Sequence, residues 1–260
     1  MRQSPKFNID QLTSAMKNYQ APNQHLKDRV IIVTGAGQGI GQTAAIAFAR
    51  QGATVILLGR TQSKLEATYD EIQAQGLPEA LIFPIDLKKA TEEDFKAMAE
   101  GVYQQLGRLD GILHNATDFN NLSPLEIQTI DQFEEMFRVN IIAPFALTKA
   151  CLPLLERSES ASVVFTSNSS AQSPKAYWGS HGISKAASDF MMQMWAQELE
   201  SHPNIRLNSI VPGPLQSPQR KKTHPGEVHA ELATMESAMP LYLYLMGDDS
   251  IGITGKVIHV

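Results

Sequence analysis

Residues Val30 to Gly41 constrain this chain more than any other stretch. Val30-Ile31-Ile32-Val33 places four branched apolar residues in a row, which suits a strand buried on both faces of a parallel sheet. Gly35, Gly39 and Gly41 follow at G-x-x-x-G-x-G spacing, and Gln42–Arg50 then reads as a helix. In such a turn Gly35 lets the backbone leave the strand sharply, and Gly39 and Gly41 are expected to keep Cβ atoms away from an approaching pyrophosphate. The helix start, with Gln38 and Ile40 beside the glycines, would offer free N–H groups and partial positive charge to the same phosphate. A glycine-rich turn can also be ligand-free. Strand, three glycines and helix in this order point to nucleotide binding.

Strand and helix signals alternate along the rest of the chain, the pattern of βαβ units. Strands are expected at Thr54–Leu58, Leu81–Ile85, Gly111–His114, Ser162–Thr166, Arg206–Val211 and Lys256–His259. Helices are expected at Ser63–Gln75, Glu92–Leu106, Ile141–Glu156 and Trp178–Leu199, with another inside Ser123–Arg138. The fold class is therefore α/β: a single-domain Rossmann fold, its doubly wound parallel sheet having about seven strands with helices on both faces. Its ligand would sit at the carboxyl ends of the strands. Residues 1–27 read as an N-terminal extension, with a short helix possible over Asp10–Tyr19, and residues 28–260 as the domain. Residues 212–235, with prolines at Pro212, Pro214, Pro218 and Pro225, read as a mobile substrate-side loop.

Bulk properties narrow the partners. A chain of 260 residues with net charge −5 is long enough for a substantial core and poorly suited to nucleic acid or an anionic membrane. Arg220-Lys221-Lys222, the one basic run, reads as a solvated loop. The single cysteine, Cys151, excludes an internal disulfide and fits a reducing compartment. With no signal-peptide core and no apolar run of spanning length, the cytoplasm is the expected location. No metal-ligand spacing stands out.

The second strand ends at the cofactor selector. An NAD site places an acid about 20 residues past the glycines to hold the ribose hydroxyls. Here Gly59 and then Arg60 occupy that place. Without the acid a 2′-phosphate meets no repulsion, and a guanidinium can grip it through paired hydrogen bonds, so NADP is favoured over NAD. The plain alternative is a surface arginine opening the next helix.

Together, Thr34-Gly35-x3-Gly39-x-Gly41, Asp86-Leu87, His114-Asn115-Ala116, Asn140 opening a helix, Ser184-Lys185 and Pro212-Gly213 resemble the short-chain dehydrogenase/reductase family over roughly Asp28 to Val260. Met239 to Asp249 resembles its YciK-like bacterial subgroup. The resemblance implies that Asp86 bonds the adenine amino group with Leu87 beside it, and that Asn115 and Ala116 hold the central strand near the ribose. It implies that Lys185 bonds the nicotinamide ribose, that Asn140 anchors a relay water, and that Pro212 and Gly213 border the nicotinamide. It also implies a small-molecule substrate and a homodimer or homotetramer built on the helices Ile141–Glu156 and Trp178–Leu199.

The departures lie at the chemical end. The family's proton-donating tyrosine falls on His181, and its substrate-polarising serine falls on Asn168, flanked by Ser167 and Ser169. Thr117 replaces a glycine, and Leu215 a frequent threonine. An imidazole nitrogen reaches about 2 Å less far than a phenol oxygen, and misplacement by about 1 Å can cost on the order of 10²-fold. An amide can donate to an oxyanion as a hydroxyl does, so Asn168 is the milder change. Tyr177 would lie about 12 Å from Lys185 along a helix and is no substitute. Two classes follow: an oxidoreductase moving hydride between NADP(H) and a carbonyl or alcohol, with His181, Asn168, Asn140 and Lys185 at the chemistry, or a non-catalytic NADP-binding homologue serving as a sensor or assembly partner.

Overall fold

The computed structural model describes residues 19–119 and 121–260, so the expected helix over Asp10–Tyr19 lies outside the described residues except for its last position. Seven strands form one sheet: β1 Val30–Thr34, β2 Thr54–Gly59, β3 Leu81–Pro84, β4 Gly111–His114, β5 Ala161–Thr166, β6 Ile205–Val211 and β7 Lys256–His259. Their order is β3-β2-β1-β4-β5-β6-β7, and every pairing is parallel. The order reverses between β1 and β4, the place where a doubly wound sheet opens a crevice at its carboxyl edge.

Because side chains alternate across a strand, the apolar run of β1 feeds both faces. Ile31 and Val33 pack with Phe48 of α1 (Gly39–Arg50) and with Tyr242 and Leu245 of α9 (Met239–Met246). Val30 and Ile32 pack on the other side with Phe95 of α3 (Glu92–Leu106), Leu147 and Cys151 of α5 (Ala143–Leu155) and Met192 of α7 (Gly179–Glu198). Helix α2, Gln62–Ala74, follows β2, and a second capped helix, α4, spans Ile130–Phe137.

Three expectations change here. The helices expected inside Ser123–Arg138 and over Ile141–Glu156 are one continuous helix, because α4 and α5 join through a widened turn at Arg138–Ile142. Pro144 supplies the cause: it has no N–H for the Asn140 carbonyl four residues earlier, and its ring crowds that carbonyl, so the helix widens instead of ending. The joined helix, Ile130–Leu155, is 26 residues long and contains an 18-residue window of mean hydropathy 1.3, so by length and composition alone a run of spanning length does exist. It is a core helix: Met136, Leu147, Cys151 and Leu155 are buried against the sheet layer.

The second change is α9, which no periodicity announced. It is apolar on every side and is buried between the sheet and α1. The chain after it anchors two arginines at the far edge of the sheet. Arg206 donates to Ser160 Oγ at 2.8 Å and to the Gly247 carbonyl at 3.1 Å, while Arg29 pairs with Asp248. The Met239–Asp249 stretch thus has a packing role.

Third, residues 212–235 are more organised than a loose loop. Helix α8, Pro218–Thr223, is capped by Ser217, and Gln216 N donates to the Ala233 carbonyl at 2.9 Å, pinning the base of the segment.

Candidate active site

A cleft of about 320 Å³ opens at the carboxyl edge, running from the glycine turn to the start of α7. Gly35, Gln38, Gly39 and Ile40 line it at one end, and Asn168, His181, Lys185, Pro212 and Gly213 at the other. Arg60, Asp86, Leu87, Asn115 and Ala116 also line it. Asn140 does not. Neither does Gly41.

Gly41 corrects a reading of the glycines. A Cβ there would lie 2.3 Å from the Gly35 carbonyl oxygen and 2.6 Å from Asn115 Nδ2. Its bareness lets α1 pack onto the turn and onto the strand that carries Asn115, and makes no room for a ligand. Gly39 does fit the ligand reading: its φ is +61° and the space above it is open out to Pro218 Cδ at 3.6 Å.

At the end of β2, Arg60 is exposed, and no carboxylate pairs with it among the described residues. Lys64, which the sequence reading passed over, also lines the cleft, and its ammonium donates to Gln38 Oε1. It lies in the first turn of α2, four residues after Arg60, which precedes the N-cap Thr61; a second cation so close to Arg60 in the sequence was the available signal. Lys88 is a further lining cation, but it is held between Asp118 at 2.9 Å and Glu135 at 2.8 Å. Asp86 Oδ1 accepts from Lys88 N at 3.1 Å, so this carboxylate caps its own turn while facing the cleft.

The side chain of Asn140, in the widened turn, makes three hydrogen bonds. Nδ2 donates to Ser184 Oγ at 2.9 Å, and Oδ1 accepts from Thr117 Oγ1 and from Asp118 N, each at 3.1 Å. Thr117, where glycine was the expectation, thus helps tie the β4 loop to α7. These contacts make the Asn140 side chain a clamp between the β4 loop and α7.

The loop after β5 settles its own register. Ser167 turns inward and donates to the buried Asp189 at 2.6 Å, whereas Ser169 is exposed. Asn168 alone of the three faces the cleft without that tie, and its Oδ1 caps the short helix α6, Ser169–Gln172, accepting from Ser170 N at 2.9 Å.

His181 is buried in an aromatic wall, 5.1 Å from the Phe119 ring, edge to face, and 5.6 Å from the Trp178 ring. Neither ring nitrogen has a hydrogen-bond partner among the described residues. Burial, reinforced by the Lys185 charge, pushes its pKa down to about 3; the Asp118 backbone opposes this weakly without meeting hydrogen-bond geometry. Gly179 and Gly182, which suggested room beside the ring, are already filled against: a Cβ would lie 2.2 Å from Gln128 Nε2 at the first and 3.3 Å from Ser170 Oγ at the second. Phe119 and Trp178 lie in irregular segments, where no periodicity could single them out. Lys185 is buried, donates to the Thr166 carbonyl at 2.8 Å, and has its pKa lowered by burial to about 8, the Asp189 charge opposing this. Tyr177 precedes the helix, is exposed and stands away from this cleft.

Residues 29–228 match the family described as short chain dehydrogenase. The chain belongs to that family. The uncharacterized oxidoreductase YciK of Escherichia coli K12 is 41% identical, the match covering 92% of this chain and 94% of that one. A short chain dehydrogenase from Shigella flexneri 2a, solved in complex with NADP, superposes with a TM-score of 0.88 at 40% identity over 92% of this chain and 99% of that one. Another from Escherichia coli CFT073, solved in complex with NADPH, gives a TM-score of 0.88 at 41% identity with the same coverage.

Proposed function

We propose that this chain is an NADP(H)-dependent oxidoreductase that interconverts a small carbonyl compound and its alcohol. The observation that carries the reading is one continuous cleft with unpaired cationic groups at its ribose end and a buried lysine at its other end. Two close relatives solved with NADP or NADPH support the same cofactor here.

In this reading the α1 N-terminus and the backbone of Gly35, Gln38, Gly39 and Ile40 hold the pyrophosphate. Arg60 and Lys64 hold the 2′-phosphate, and Asp86 and Leu87 border the adenine. Asn115, Ala116 and Lys185 position the nicotinamide ribose, with Pro212 and Gly213 against the ring. Bound NADPH supplies the hydride. Asn168 Nδ2 is the donor available to a carbonyl oxygen, and Asn140 keeps the β4 loop and α7 in register. The substrate enters beside Trp178 and the segment 212–235. The protein works in the cytoplasm as a homodimer or homotetramer.

The competing reading, cofactor binding without turnover, draws on His181, whose buried and unpartnered imidazole is a poor replacement for a phenol. A calorimetric titration with NADPH, paired with turnover over a panel of aldehydes, ketones and alcohols, separates the two. Binding with turnover supports the enzyme; tight binding with no turnover on any compound moves the protein to the sensor or assembly class.

A further inference from the structure

We propose that Lys185, and not His181, delivers the proton to the substrate oxygen. The inference rests on the oxidoreductase reading above and concerns which side chain completes it. His181 and Lys185 line the cleft together with Asn168, and their surroundings differ. The His181 ring is packed against Phe119 and Trp178, 5.1 and 5.6 Å away, and is held neutral, so it offers an imidazole N–H and no acidic imidazolium. Lys185 lies one turn further along the same face of α7. Its ammonium carries three protons: one goes to the Thr166 carbonyl at 2.8 Å, and of the other two one serves the nicotinamide ribose in the reading above and one is left for substrate.

The groups that face Lys185 leave it free to act. Asp189, on its own helix, is engaged through Oδ2 by Ser167 at 2.6 Å and by Gln172 at 2.8 Å; its charge favours the ammonium, but it makes no salt bridge with Lys185 among the described residues. From β4, His114 faces it as a neutral ring bonded to Thr148 at 2.8 Å. His181 is the other neutral ring. From the end of β5 come Thr166 and Asn168, both uncharged. A buried ammonium with no fixed counter-ion gives up a proton readily, and its pKa of about 8 lies close to a working pH, where general acids are most effective.

The step balances. Hydride brings its electron pair to the carbonyl carbon, and the C=O π pair moves to oxygen. A Lys185 N–H bond then breaks: the proton joins that oxygen and the electron pair stays on nitrogen. The products are the alcohol, the oxidised nicotinamide and a neutral amine, which regains a proton from water in the cleft.

Two measurements test this. The first is the titration of the Lys185 ammonium by NMR in cofactor-free, lysine-labelled protein, assigned with Lys185→Arg. The second is the pH dependence of kcat for carbonyl reduction in the unmodified protein, His181→Gln and Lys185→Ala, with NADPH affinity measured alongside. We expect the ammonium to titrate near pH 8 and kcat to fall above that pH in both the unmodified protein and His181→Gln. Lys185→Ala should lose at least about 10²-fold and recover in added primary amines, in proportion to their acidity. Loss of about 10²-fold in His181→Gln with NADPH affinity intact, or a lysine titrating near its usual value of about 10.4, overturns the proposal. Tight NADPH binding with no turnover in the unmodified protein overturns the oxidoreductase reading itself, and the inference with it.

Discussion

The ammonium of Lys64 donates to Oε1 of Gln38, tying the first turn of α2 to the glycine turn that precedes α1. With Arg60 beside it, this contact sets two cations where an NAD site would hold an acid. NADPH is therefore expected to bind more tightly than NADH. Arg60→Ala should remove most of the difference, roughly 1.5–3 kcal/mol for a charge-assisted contact, and Lys64→Ala a smaller share. Calorimetry with both nucleotides checks this, and equal affinities in the unmodified protein would refute it.

A second prediction concerns restoring the family's donor. His181→Tyr should extend an acid toward the cleft, whose volume of about 320 Å³ gives the ring room that Gly179 and Gly182 do not. Adding Asn168→Ser keeps a residue able to cap α6. The double variant is expected to reduce carbonyls at least tenfold faster, about 1.4 kcal/mol of barrier, with NADPH affinity little changed. Steady-state kinetics on the best carbonyl decides it. A slower double variant would mean that the present residues are the tuned ones.

These residues also show what the sequence could convey. The strands of the sheet were readable because runs such as Val30–Val33 can satisfy both faces at once, and right-handed crossovers made the sheet doubly wound, whereas the strand order came from the structure. The identity of the loop residue facing the cleft was not readable. It depends on Asp189 drawing Ser167 inward, a contact 22 residues away in sequence. Gly41 shows another limit, since its spacing suits either a ligand or the Gly35 carbonyl that lies against it, and only packing chooses. Helix α9 escaped because a helix apolar all round has no period to detect.

The third prediction is assembly. Ile142 and Phe145 at the α5 end, with Ile183, Phe190 and Met194 on α7, remain exposed, Phe190 by 65%. Covering so much apolar surface favours association. Light scattering should give two or four times the 28.6 kDa chain mass. Phe190→Glu should weaken the assembly by about 2 kcal/mol, roughly 30-fold in its dissociation constant. A monomer at micromolar concentration would contradict this.

The fourth is stability against pH. His114 and His181 are both buried and neutral, with folded pKa values of about 3, below the unfolded value of 6.5. Below pH 6.5 the unfolded chain therefore binds more protons than the folded one. Stability is complete above that pH and declines as pH falls toward 3, each histidine contributing a slope of up to about 1.4 kcal/mol per pH unit. Urea denaturation between pH 7 and pH 4 should show the decline, and His181→Gln should reduce its slope. A variant with an unchanged slope would show that this ring is not a source of the acid sensitivity.

Pro218, the first residue of α8, stands 3.6 Å from the point where a Cβ on Gly39 would be. The phosphate turn is therefore roofed by the same segment that borders the substrate entrance. If a nucleotide occupies that turn, it can leave on this side only when α8 lifts, and a substrate lodged under residues 212–235 blocks the lifting. Such an arrangement imposes a sequence of events: nucleotide arrives first and departs last. Opening of this six-residue helix would then control the order of release, a step separate from bond-making. Product-inhibition kinetics checks it: NADP should compete with NADPH, whereas the alcohol should not compete with the carbonyl.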